Sequence, residues 1–221
     1  TKYNVLPLDE RVAERANPAL AGRPELISGN RQVVFGGMTR LSENSVINIK
    51  NKSHAITAEV VVPESGAEGV IVAQGGIEGG WSLYARGGKP KYCYNLASIV
   101  RTTIEGAFPI PAGTHQVRME FAYDGGGIAK GGTVTLYVDD QKAGEGRLER
   151  TQPILYSLNE TLEVGIDRGS PVIDDYPTPR GTFSRFSGEV NWVQIDIDKD
   201  AEDVDRLISP DARLNVAMAL Q

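Results

Sequence analysis

The sequence predicts an all-β fold, a sandwich of two antiparallel sheets, on three observations. From Ala112 to Gly146 apolar and polar residues alternate strictly: Val117, Met119, Phe121 and Tyr123 against Arg118 and Glu120, then Val134, Leu136 and Val138 against Thr133, Thr135 and Tyr137. A period of two is the mark of a half-buried strand. From Arg31 to Ile197 turn signals recur about every 8–12 residues, the spacing of a sandwich or barrel. The 25 glycines and 12 prolines in 221 residues are too many for a helical protein and suit short strands joined by tight turns.

The elements follow in order. Residues Thr1 to about Ser28 read as an arm. Asp9–Ala16 could make one or two helical turns before Asn17-Pro18 and Gly22-Arg23-Pro24 break them. Gln32–Phe35 is the expected first strand. His54–Val62 alternates, with Ile56, Ala58, Val60 and Val62 on one face, and Pro63-Glu64-Ser65-Gly66 turns the chain. Val70–Gln74 is short, apolar and expected to be buried on both faces. Trp81–Ala85 and Lys91–Leu96 flank Arg86-Gly87-Gly88-Lys89, a hairpin turn because glycine supplies positive φ. Ser98–Ile104 continues the meander. The pair of strands within 112–146 follows, with a glycine-rich turn between them and a tight turn after the second. Leu162–Ile166 and Glu189–Ile197 complete the set. In the last strand Val190 is out of phase with Val193, Ile195 and Ile197, which predicts a bulge near Asn191. Ser209-Pro210-Asp211 has the signature of a helix start, and Leu214, Ala217 and Met218 follow at helical spacing. The expected organisation is therefore an arm over 1–28, a sandwich over 29–198, and an acidic linker with a short terminal helix over 199–221.

Charge and composition exclude several functions. A net charge of −6 offers no attraction to nucleic acid or an anionic membrane, and no apolar run is long enough to span a bilayer. The acidity is concentrated in the tail, where Glu189–Gln221 holds eight acids and three bases. A single cysteine, Cys93, rules out an internal disulfide. The chain begins at Thr1 with no methionine and no signal-like apolar stretch, which suggests either that something was removed from its front or that it is a piece of a longer protein.

No catalytic or metal motif is complete. Asp196-Ile197-Asp198-Lys199-Asp200 opens like a calcium loop, but Ala201 stands where glycine is needed and Leu207 where glutamate is needed. Gly125–Gly132 lacks the Lys-Ser/Thr of a phosphate loop and reads as a hairpin turn, with Lys130 its only cation. His54, His115 and Cys93 are too scattered for a zinc site, and Cys93, between Tyr92 and Tyr94 in a strand, reads as a buried thiol. Asp167, Asp174 and Asp175 share one loop and could bind calcium or cap turns. Trp81, Tyr84, Tyr92, Tyr94 and Tyr156 could stack on sugar rings, although strand aromatics more often pack a core. Asn51 and Asn159 head glycosylation sequons.

Several strings resemble one family. Tyr3–Asp9 (YNVLPLD) and Asn17–Pro24 (NPALAGRP) are similar to the linker that follows the catalytic domain in large bacterial arylsulfatases. VAQGG and GGWSLY (Val72–Tyr84), FAYDGGG and KGG (Phe121–Gly132), ERTQP (Glu149–Pro153), VGID, GSPV and DDY (Val164–Tyr176), and the ending LISPDARLNVAMALQ resemble the C-terminal region of the same enzymes. The resemblance implies a concanavalin-like or laminin-G-like jelly roll. It also implies an accessory, non-catalytic module whose partner is the sulfatase catalytic domain of the same parent chain. The Cys/Ser-x-Pro-x-Arg string that yields formylglycine is absent here. Formylglycine and calcium would belong to the missing domain, and no catalytic residue, cofactor or metal is expected on this chain. Asp174, Asp175 and Tyr176 are the expected interdomain or ligand loop. A lectin-like carbohydrate-binding module and a structural module that forms homo-oligomers are the other two readings.

Overall fold

The computed structural model describes residue 27, residues 29–176 and 184–198, and the isolated positions 209, 211, 215 and 218. The expected arm and linker lie almost wholly outside the described residues. So does the expected terminal helix, apart from Asp211, Asn215 and Met218, which are helical.

Eleven strands are described: β1 (Arg31–Phe35), β2 (His54–Val62), β3 (Gly69–Gly76), β4 (Gly79–Arg86), β5 (Lys89–Leu96), β6 (Val100–Glu105), β7 (Gly113–Tyr123), β8 (Gly132–Val138), β9 (Gln141–Leu148), β10 (Leu162–Val164) and β11 (Glu189–Ile197). They form a six-stranded sheet in the order β1-β11-β2-β7-β8-β9 and a five-stranded sheet in the order β10-β3-β4-β5-β6, with every pairing antiparallel. The first and last described strands are neighbours in the larger sheet, where β11 inserts between β1 and β2. The chain is thus an all-β jelly-roll sandwich, as its sequence pattern predicts.

The alternation read in the sequence becomes the core. Ile56, Ala58 and Val60 of β2, Val117 and Met119 of β7, and Val134 and Leu136 of β8 are wholly buried, facing Ile71, Val72, Trp81, Leu83 and Tyr92 of the smaller sheet. Removing this much apolar surface from water is the main stabilising term, at about 25 cal/mol per Å². β3 is buried along its whole length, as its unbroken apolar run predicts. Its outer face is covered by the segment after β10, where Val172 and Tyr176 pack with Val70, Ala73, Tyr84 and Cys93 in a second, smaller core.

The strands depart from the sequence reading at several points. The strand expected from Ser98 begins at Val100, because Ala97 and Ser98 take positive φ and form the turn themselves. The strand expected to reach Ile166 ends at Val164, where Gly165 turns at φ +78°. β9 was not expected at all, since QKAGEGRL is polar and carries two glycines. It pairs with β8 as the edge of the larger sheet, where polarity is tolerated. The predicted bulge is present, with the β11–β2 register shifting between Val190 and Trp192.

Candidate functional site

The loop singled out in the sequence covers the smaller sheet. Tyr176 points inward, 5% exposed, with its ring edge-on to Tyr84 at 5.3 Å. Asp175 accepts hydrogen bonds from the Tyr84 hydroxyl (2.9 Å) and Lys91 Nζ (3.1 Å). Partial burial would raise its carboxyl, but these two donors outweigh that and hold it below the usual range. Burial, and then Asp175, push the Tyr84 phenol well up. Asp174 is exposed. Asp167 lies beneath the loop, 6% exposed, accepting the Val172 N–H at 3.2 Å, and burial pushes its carboxyl up to about 7. The three aspartates therefore do not converge, and among the described residues no group of three His, Cys, Asp or Glu side chains is placed to hold a metal. The loop acts as a cover clamped by Asp175, and of Asp174, Asp175 and Tyr176 it is Asp174 that is exposed.

The aromatic set resolves as core. Trp81, Tyr84, Tyr92, Tyr94 and Tyr156 are each at most 5% exposed, so none can stack on a sugar from solvent. Cys93 is fully buried, and burial pushes its thiol up to about 11. His54 is held neutral, its imidazole pushed down to about 4 by burial. Asn51 is buried and donates to the Pro153 carbonyl, which closes its sequon to modification. In the calcium-like string, Asp196 lies in β11 and pairs with Arg31 at 2.6 Å. The glycine-rich turn wraps Tyr123, whose hydroxyl donates to Gly127 O (2.6 Å) and accepts from the Lys130 N–H (3.0 Å).

A polar cleft forms instead at the rim of the six-stranded sheet. Its volume is about 320 Å³ and its walls are Glu59, Thr114, His115, Gln116, Asp139 and Asp140. The β8–β9 turn places Asp139 at φ +51°. One of its oxygens accepts the Gln116 N–H (2.9 Å) and the other faces His115 Nδ1 (2.9 Å). The Gln116 amide, then the imidazole, hold the Asp139 carboxyl low, while the bond to Asp139 raises His115. Glu59 is oriented by Asn191 Nδ2 at 2.9 Å.

An aromatic strip adjoins the cleft. Phe35 stands opposite Trp192, Trp192 opposite Glu59, and Glu59 opposite Gln116, so one outward row crosses β1, β11, β2 and β7. Three strand spacings make that row about 14 Å long. Phe35 is 55% exposed and Trp192 is half-buried. Sequence reasoning passed over this row. The signal was there: Trp192 is out of phase with Val193 and Ile195, and Phe35 with Val34, so both belong to the outer face.

By sequence the chain matches no family model and no curated protein. Solved structures similar to it include the CBM40 of the Ruminococcus gnavus IT-sialidase bound to α2,3-sialyllactose (TM-score 0.48, 13% identity, 80% of this chain and 95% of that one). They also include the LG4-5 domains of the mouse laminin α1 chain (TM-score 0.43, 16% identity, 82% of this chain and 42% of that one). A heptameric SAP-like pentraxin from Limulus polyphemus is similar at TM-score 0.38 and 11% identity, over 80% of each chain. At such identities the likeness is one of architecture.

Proposed function

We propose that the chain is a non-catalytic module that binds carbohydrate on the outer face of the six-stranded sheet, in the cleft at Glu59, Gln116 and Asp139 and along the Trp192–Phe35 strip. The observation that carries this reading is the juxtaposition itself. Sugars present hydroxyls at their edges and apolar C–H faces. A cleft of planar hydrogen-bonding side chains beside the half-buried Trp192 and the exposed Phe35 meets both. The side chains are held in place by Asn191, His115 and the Gln116 backbone rather than by a ligand, so little order has to be gained on binding. The lining has three carboxylates and no lysine or arginine, which favours neutral saccharides over anionic ones. A glycan array followed by calorimetry tests it. Binding of a neutral oligosaccharide that weakens at least about tenfold in Trp192→Ala and Glu59→Ala supports the reading. The absence of any glycan signal overturns it.

A second reading is the accessory domain of an arylsulfatase, favoured by where the resembling strings fall. GGWSLY, GSPV and DDY lie in β4 and in the cover clamped over the smaller sheet, the face opposite the cleft. The parent gene tests it. A Cys/Ser-x-Pro-x-Arg string upstream of Thr1 supports this parentage, and its absence from the full-length protein removes it. Turnover of an aryl sulfate by this chain alone refutes the non-catalytic role in both readings.

A further inference from the structure

His54 opens β2 at the end of the strand away from the cleft. Its Nδ1 lies 2.9 Å from the Lys52 carbonyl. A carbonyl can only accept, so Nδ1 carries the proton and Nε2 is left as a bare acceptor. That Nε2 is inaccessible to bulk solvent and has no hydrogen-bond partner on the protein. An acceptor buried without a donor costs about 1–3 kcal/mol.

The same imidazole lines a small cavity with Ile49, Lys50, Asn51, Tyr92, Phe121 and Tyr156 among its neighbours. The cavity offers about 10 Å³ to the centre of a water-sized sphere, which is room for one water and for no larger ligand. Cavities of this size stay dry when their walls are aliphatic. This wall is apolar at Ile49, Phe121 and Leu148 but also includes Lys50, Asn51, Thr151, three tyrosines and the bare imidazole acceptor, and an unpartnered buried acceptor is what retains solvent in such a space. We propose that the cavity beside His54 binds a single internal water, which donates a hydrogen bond to Nε2 and joins the start of β2 to the tyrosine-lined wall. Burial keeps the imidazole neutral down to a pH of about 4, so the lone pair that receives the water is available throughout the neutral range.

Two measurements on the whole chain decide it. A crystal structure should show one solvent peak about 2.7–3.2 Å from His54 Nε2. Magnetic relaxation dispersion of water should count one fewer long-lived water in His54→Phe than in the native protein. A dry cavity in the crystal, or an unchanged count in a folded His54→Phe, overturns the proposal. If His54→Phe does not fold, the solvent peak in the native crystal decides alone.

Discussion

Lys50 and Glu43 form an ion pair almost wholly withdrawn from water, with Nζ 2.6 Å from Oε1 and side chains 6% and 13% exposed. The Glu43 carboxylate also accepts the Tyr156 N–H at 3.0 Å, and Lys50 Nζ sits 4.9 Å over the Tyr156 ring. The 3-10 turn Glu43–Ser45 is thereby stapled to the segment after β9. Breaking a buried pair from one side strands the other charge, at about 3–5 kcal/mol. Lys50→Met is expected to lose that much in urea unfolding, and Lys50→Met/Glu43→Gln to recover part of it. A loss under about 1 kcal/mol for the single variant would show that Glu43 is adequately held by the backbone amides alone.

Gly36, just after β1, sits where two backbones approach closely. A Cβ there would lie 1.8 Å from the Val190 carbonyl oxygen, inside the β11 bulge. Neither backbone is free to yield, so Gly36→Ala is expected to destabilise by several kcal/mol, of the order of overpacking a core. Gly126 is the control. It takes φ +70° but has open space around a Cβ, so Gly126→Ala should cost only about 1 kcal/mol. Comparable thermal midpoints for the two variants would contradict this ordering.

What the sequence made legible follows from what fixes each feature. β2 and β11 are local: β2 alternates throughout, β11 alternates from Val193 to Ile197, and both ranges match the expected ones. The bulge was visible because Val190 breaks phase with Val193. β9 was hidden because an edge strand need not be apolar, and its partner β8 supplies the buried side. The cleft was hidden for a different reason. Glu59, Gln116 and Asp139 belong to separate strands and a turn, and only the register of β2, β7 and β8 brings them together. The Asp174–Tyr176 loop looked like a ligand loop because acids and an aromatic cluster there. No local pattern reveals that Tyr176 turns in to cover Tyr84.

Cys93 should report unfolding without disturbing the fold. Its side chain is fully buried under the cover segment, and burial raises the thiol to about 11, so thiolate is scarce as well as enclosed. A thiol reagent at about pH 8 is expected to leave the native chain unmodified and to label one equivalent once guanidinium unfolds it. Tyr84→Phe removes the hydroxyl that Asp175 clamps and should speed labelling by loosening the cover. Rapid labelling of the native protein would mean that the cover opens freely.

Asp167 and His54 tilt the pH dependence of stability in opposite directions. Asp167 titrates at about 7 in the fold against about 3.9 in an unfolded chain. As pH rises through that window the unfolded state ionises first, so this group's contribution falls, levelling off above about 7. His54 titrates at about 4 in the fold against about 6.5 unfolded. As pH falls through its window the unfolded state takes up the proton first, so its contribution falls toward acid. Between about pH 4.5 and 6.5 the two slopes oppose each other, each amounting to up to about 3 kcal/mol across the range. Asp167→Asn keeps an acceptor for the Val172 N–H and removes one slope, so its stability should rise with pH across that window. His54→Phe should show the reverse, a stability that falls with pH. Urea titrations at three pH values test both, and a profile for Asp167→Asn parallel to that of the native protein would show that Asp167 ionises freely beneath its loop.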